Sequence, residues 1–119
     1  MKKTGFSFLF AMIAIVVSAS AAFVAFKVYP NPFRPSQGHT SVHFEGITGG
    51  GSINIYNTAG RLVFEKAIDP GSTTTSPAPG PGFSWNVKNN GGSDVASGMY
   101  IYFIETSGEE KTGKLGIIR

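Results

Sequence analysis

From Phe83 the chain alternates apolar and polar residues through Trp85 and Val87. It stops at Asn89-Asn90-Gly91-Gly92 and resumes as an aromatic run from Met99 to Ile104. Asn and Gly accept left-handed backbone angles at low steric cost, so this polar stretch reverses the chain and predicts a β-hairpin of its two flanks. Similar punctuation recurs at Gly49-Gly50-Gly51 and Asn57-Thr58-Ala59-Gly60. Between the breaks the pattern has period two: Val42 and Phe44 share a face, as do Ile53 and Ile55.

Seven short strands are expected, over Phe26–Tyr29, Thr40–Glu45, Ser52–Tyr56, Arg61–Ile68, Phe83–Val87, Gly98–Thr106 and Lys111–Ile118. Ser52–Tyr56 and Arg61–Ile68 should pair as a hairpin. Tyr100–Ile104 is apolar on both faces, which suits a central strand, and Trp85 is its expected core anchor. Pro30-Asn31-Pro32 breaks the first strand into an extended connector at a sheet edge, because proline lacks an N–H donor. Asp69–Gly82, rich in Pro, Gly, Ser and Thr, is expected to be a mobile loop. No segment after residue 26 has helical periodicity. The fold class is all-β, a seven-stranded antiparallel immunoglobulin-like sandwich preceded by an N-terminal hydrophobic signal helix.

The N-terminus is a different kind of sequence. Lys2 and Lys3 precede a stretch, Thr4 to Phe26, of 23 residues without charge. Its apolar centre, Phe8 to Val17, leads into Ser18-Ala19-Ser20-Ala21-Ala22, whose small residues fit the −3 and −1 positions of a secretory signal peptide. Cleavage is expected after Ala21 or Ala22, dividing the chain into a signal at 1–22 and a domain at 23–119. The alternative is an uncleaved anchor spanning a membrane through residues 4–26, with the β domain facing outward. Either way the domain is exported. It goes to the cell surface or the medium, or in the alternative stays on the inner membrane facing the periplasm.

Charge and composition exclude several classes. Beyond residue 22, eight Lys and Arg face seven Asp and Glu, so the domain is nearly neutral and no basic stripe tracks nucleic acid. Without cysteine there is no disulfide framework or thiolate metal site. No catalytic site is expected, since no nucleophile and base can be assembled. His39 and His43 are four apart on an expected strand, about 13 Å along the backbone, a poor start for a metal site. Asn89, Asn90 and Asp94 offer oxygens to calcium but only one carboxylate, so turn formation explains them better. No cofactor is expected.

Five blocks occur in a recognisable order: Tyr29-Pro-Asn-Pro-Phe-Arg-Pro35, Ile53 to Val63 (INIYNTAGRLV), Phe83-Ser-Trp-Asn86, Asp94 to Tyr102 (DVASGMYIY) and Lys114 to Arg119 (KLGIIR). Over Val28 to Arg119 the chain resembles the C-terminal sorting domain of type IX secretion cargo. It is also similar to the immunoglobulin-like domain of the flagellar hook-capping protein. The resemblance implies a non-catalytic secretion address whose partner is a secretion translocon or a cell-surface protein. It puts translocon recognition on Lys114, Leu115, Gly116, Ile117, Ile118 and Arg119. It gives Pro30, Asn31, Pro32 and Phe33 to the motif that opens the domain, and Gly60 and Arg61 to the turn between two central strands. Trp85, Gly98 and Tyr100 complete the motif residues.

Family cargo places an enzyme or adhesin before this domain, whereas about five residues separate Ala22 from Val28 here. A small structural or adhesive surface protein is therefore the alternative function. Phe33, Tyr56, Phe64, Tyr100 and Tyr102 are the aromatic residues such a protein could present as a binding face.

Overall fold

Alternation of apolar and polar residues becomes two antiparallel sheets in the computed structural model, which describes residues 22–75 and 79–119. The strands are β1 (Phe23–Tyr29), β2 (Val42–Ile47), β3 (Gly51–Asn57), β4 (Leu62–Ile68), β5 (Gly82–Trp85), β6 (Gly98–Thr106) and β7 (Glu109–Ile117), with one 3-10 turn at Pro35–Gln37. One sheet has the order β1-β2-β5 and the other β4-β3-β6-β7. The expected signal segment and its helix lie outside the described residues, among which no helix is long and apolar enough to cross a membrane.

Each strand buries one side. Ile53 and Ile55 of β3 are fully buried, and Tyr100, Tyr102, Ile104 and Thr106 of β6 alternate inward. β2 contributes Val42 and Phe44, and β5 contributes Trp85, all at 0% exposure. Aromatic rings join the layers. Phe44 meets Tyr102 edge-on at 5.3 Å, while Phe64 lies 5.6 Å from Trp85 and stacks on Phe83 at 6.1 Å. Trp85 is thus a core anchor, and its indole N–H donates to the Lys88 carbonyl at 2.9 Å. β6 is central, between β3 and β7, and β3 pairs with β4 as a hairpin.

The hairpin expected around Asn89–Gly92 shrinks to an isolated antiparallel bridge between Lys88 and Asp94, and its long flanks do not pair. β5 pairs with β2 and β6 pairs with β3 and β7, so the connection crosses from one sheet to the other. The turn itself is real: Asn89 accepts Gly92 N–H on its carbonyl and Gly91 and Ser93 N–H on its side chain. The flanks diverge because β5 ends at Trp85 and Val87 sits at φ 62°, which turns the strand off its line. Val87 and Val95 then enter the core together, held by a Val95 N–H to Val87 C=O bond of 3.2 Å.

Two other expectations change. β1 begins at Phe23, with Phe23 opposite Ile47, so the last four residues of the stretch offered as a membrane anchor are sheet. The loop after β4 is tied down near both ends of its described part. Thr74 is buried and exchanges bonds with Gly80, and Gly82 N–H reaches Ser72 C=O at 3.0 Å. The Thr74 hydroxyl is spent on the Gly80 backbone and the Thr75 hydroxyl on Ser84, which the composition alone does not reveal.

Truncating the centre of this core should be costly. Phe44→Ala is expected to lower unfolding free energy by about 3–5 kcal/mol in urea denaturation. A loss below about 1 kcal/mol, typical of a surface change, would place the core elsewhere.

Candidate functional site: the last strand and the segment that fastens it

β7 is the outermost strand of the larger sheet, and the Pro-Asn-Pro-Phe segment lies along the C-terminal half of its free edge. Both X-Pro bonds of that segment, Tyr29-Pro30 and Asn31-Pro32, are cis. Prolines at 30 and 32 have no N–H to leave unpaired, so the residues between and after them carry the bonding. The Asn31 amide donates to Lys114 C=O at 3.1 Å and accepts Gly116 N–H at 3.0 Å. Phe33 then pairs as a one-residue parallel strand. Its N–H donates to Gly116 C=O at 2.8 Å, and its C=O accepts Ile118 N–H at 2.9 Å. A primary amide has the donor and acceptor of a peptide group, so Asn31 continues the ladder where no strand exists.

The same device protects the opposite edge. Asn90 accepts Glu65 N–H at 2.8 Å and donates to Glu65 C=O at 3.0 Å, capping β4 at its middle residue. Free strand edges invite pairing with other chains, and a side-chain amide blocks them locally. Asn89, Asn90 and Asp94, whose oxygens the sequence offered to calcium, all have protein partners here, since Lys88 donates to Asp94 at 2.8 Å. That bond, the Lys88 charge and the Arg119 charge hold the Asp94 carboxyl below its ordinary value.

Of the six residues assigned to recognition, Leu115, Gly116 and Ile117 are buried, whereas Lys114, Ile118 and Arg119 are exposed. Leu115 and Ile117 fill the core. A Cβ at Gly116 would lie 3.4 Å from Pro32, an ordinary packing distance, so space alone does not require glycine there. Gly113 is constrained, since a Cβ would run into the Tyr102 hydroxyl and ring. Arg119 folds back on the protein. Its Nε–H donates to Val95 C=O at 2.6 Å, a terminal N–H reaches Val87 C=O at 3.3 Å, and the guanidinium lies 5.9 Å over the Phe33 ring. Its own N–H donates to Ser97 Oγ at 2.8 Å. Its side chain is thus committed to structure, a role its position at the end of the sequence does not signal.

The other motif residues divide the same way. Phe33 and Tyr100 are buried, and the Tyr100 hydroxyl donates to Ala96 C=O at 2.7 Å. Gly60 and Arg61 are exposed in the β3–β4 turn, where Asn57 C=O accepts Gly60 N–H and Asn57 Oδ1 accepts Arg61 N–H. The five aromatic residues do not form a binding face. Phe33, Phe64, Tyr100 and Tyr102 are core, leaving Tyr56 half-buried on the outer face of the sheet.

Fastening leaves a groove. Asn31, Pro32, Gly98, Met99, Ile117 and Ile118 border an apolar hollow of about 540 Å³, with Met99 47% and Ile118 42% exposed beside it. A second hollow lies between Tyr29 and His39, with His43 on its wall. His39 Nδ1 accepts Arg34 N–H at 2.8 Å, and His43 bonds Ser84 Oγ at 2.7 Å, so each imidazole already has a partner. Only His43 lies on a strand; His39 precedes β2, unlike the expectation for both. Among the described residues no cluster of three or more His, Asp or Glu is placed to hold a metal.

Two expectations test this geometry. Asn31→Ala should cost about 1–3 kcal/mol, at about 0.5–1.5 kcal/mol for each of its two bonds, and should speed hydrogen exchange at the Gly116 amide. Unaltered exchange there would show that the Asn31 amide does not hold the edge. Burial lowers the His43 pKa below its ordinary 6.5, opposed by the Glu45 charge. The unfolded chain therefore takes up the proton first as pH falls. Stability from this group is full above pH 6.5 and is lost as pH drops through the window beneath it. A His43→Gln variant should lose that part of the pH dependence in denaturation midpoints, and an identical slope would remove His43 as its source.

Residues 27–78 match the family model of the secretion system C-terminal sorting domain. Among solved structures, the chain is similar to PorZ, an essential bacterial surface component of the type-IX secretion system of Porphyromonas gingivalis. The identity is 29%, covering 80% of this chain and 12% of that one, with a TM-score of 0.61. It is similar in fold to dimeric latent PorU from the same organism, at 20% identity over 78% of this chain and 9% of that one, with a TM-score of 0.51. This chain thus spans about an eighth of the length of the first of these proteins and less of the second. No curated protein matches the sequence. The family match ends before β5, while the likeness to PorZ covers most of the sandwich.

Proposed function

We propose, from the premise that residues 27–78 belong to the secretion system C-terminal sorting domain family, that this sandwich is read by secretion machinery through the groove between Pro32, Met99 and Ile118. One observation carries the reading. The matched segment supplies Asn31 and Phe33, the last strand supplies Lys114 to Ile118, and their four hydrogen bonds build a single surface from the two ends of the domain. Its exposed apolar residues suit a protein partner.

The sandwich is immunoglobulin-like in this reading, on the strength of the buried Trp85 and the Tyr100 hydroxyl bonded to backbone four residues upstream. The likeness to the hook-capping domain is one of fold. Residues 1–21 act as the export signal. Cleavage after Ala21 fits better than cleavage after Ala22, because Ala22 is buried at 2% exposure and its C=O accepts Thr48 N–H at 3.0 Å. The domain then reaches the cell surface or the medium, with the secretion translocon or a surface protein as its partner. The adhesive alternative has less support, since four of the five aromatics it would use are core.

Deleting Lys114 to Arg119 is a poor test, because it removes Leu115 and Ile117 from the core. Ile118→Asp alters a single exposed position of the groove. It should leave signal processing and folding intact and lower surface delivery by about tenfold or more, the scale of a lost interface hot spot. Terminal-peptide mass spectrometry of periplasmic, surface and medium fractions would measure this, and unchanged delivery would rule the groove out as the address.

A further inference from the structure

Pairing alternates along a strand, so the backbone groups of Lys114, Gly116 and Ile118 that meet Asn31 and Phe33 put those of Glu110 and Thr112 on the same outer side. β7 is the last strand of its sheet, and the fastening segment ends at Lys114. The N–H and C=O of Glu110 and Thr112 and the N–H of Lys114 therefore line a regular, open edge five residues long. Among the described residues no other edge offers as much. Asn90 divides β4 at its centre, and β1 carries a register shift and a positive φ at Ala25. β5 has four residues, flanked by the Thr73–Pro81 bridge and the Thr75 bond to Ser84.

The side chains on this edge identify what fits it. Glu110, Thr112 and Lys114 lie on the outer face of the sheet, opposite Glu105, Phe103 and Ile101 of β6. Glu110 faces Glu105 directly, a like-charge pair, and the ion pairs among the described residues are confined to Lys88, Arg119 and Asp94. Now let a second β7 run antiparallel with Thr112 opposite Thr112. Glu110 of each strand then falls opposite Lys114 of the other, and Lys111 falls opposite Gly113. Both Glu110 side chains gain a cation, and the backbone supplies four hydrogen bonds: Thr112 N–H to Thr112 C=O and Lys114 N–H to Glu110 C=O, each twice. The C=O of Lys114 stays with Asn31. Pairing cannot slide toward the C-terminus, because Gly116 and Ile118 already have partners.

We infer that the open half of β7 is a self-complementary edge through which two copies of this chain pair antiparallel about Thr112, joining two four-stranded sheets into one. Such an interface is isologous, since one patch meets itself. A five-residue strand pair buries less than about 1,200 Å² in total, so the association belongs to the weak, transient class. It favours crowded settings, such as many copies held on one surface. The inference does not depend on the sorting function, and its test uses no secretion assay.

The chain has no cysteine, so engineered thiols report the register. In the purified full chain, Thr112→Cys should form a disulfide-linked dimer under mild oxidation, since paired Cα atoms about 5.5 Å apart suit a disulfide. Lys114→Cys alone should not, because its copies lie about 13 Å apart along the strands. A mixture of Lys114→Cys and Glu110→Cys should link as mixed pairs. Sedimentation across a concentration series adds a second readout. Glu110→Lys should weaken self-association by about tenfold, by turning two attractive cross-strand pairs repulsive, and Glu110→Lys with Lys114→Glu should restore it. These positions are exposed, so a circular dichroism spectrum unchanged from the parent confirms folding. Equal linkage at 112 and 114 would overturn the register. A chain that stays monomeric with Thr112→Cys unlinked would overturn the pairing, as would an edge that takes only unrelated extended peptides.

Discussion

The bonds between Asn31, Phe33 and the last strand hold the two ends of the domain together, across 83 and 85 residues of sequence for the two Asn31 contacts. Much else depends on them. Phe33 is 3% exposed only because its backbone is pinned beside Gly116 and Ile118, and its ring then supports the Arg119 guanidinium. Arg119 in turn holds the carbonyls of Val95 and Val87, where the chain crosses between sheets. The chain thus closes a circuit from the end of β1, through β7, to the β5–β6 crossover. Closing contacts of such high separation costs loop entropy, which the buried aromatic core must offset.

Asparagine has a specific part in this design. A sheet edge needs a donor and an acceptor at fixed spacing, and the side-chain amide carries both without a second strand. Asn31 supplies them at the end of β7 and Asn90 at the middle of β4. The difference in position matters more than the chemistry. A cap at mid-strand leaves no run long enough to pair, whereas a cap at one end leaves the other end regular. Surface recognition and self-pairing can therefore share β7, meeting only at Lys114, whose C=O is held by Asn31. The groove uses the half that Asn31 fastens, and the open edge uses the half it leaves.

Burial also reassigns the terminal motif. The sequence presents Lys114 to Arg119 as one block, but the strand turns alternate residues to opposite environments. Leu115 and Ile117 stabilise the fold, Gly113 makes room for Tyr102, and the Arg119 side chain braces the crossover. Lys114 and Ile118 remain for a partner to touch. Truncation experiments on such a tail would therefore mix unfolding with loss of recognition.

The sequence by itself determined the seven strands, the period-two faces, the β3–β4 hairpin and the burial of Trp85, because alternation and turn residues act over a few neighbours. Asn89 to Gly92 likewise made its turn as read. Tertiary structure decided where the flanks of that turn went. Local chemistry favoured a hairpin, but β5 gained more by pairing with β2 and burying Trp85 against Phe64. It also decided that His43 is buried and bonded to Ser84, that four aromatic residues are core, and that Asn31 meets Lys114 and Gly116. Each of these depends on groups 40 or more residues apart in sequence, or on a whole sheet's packing, and no local pattern encodes such distances.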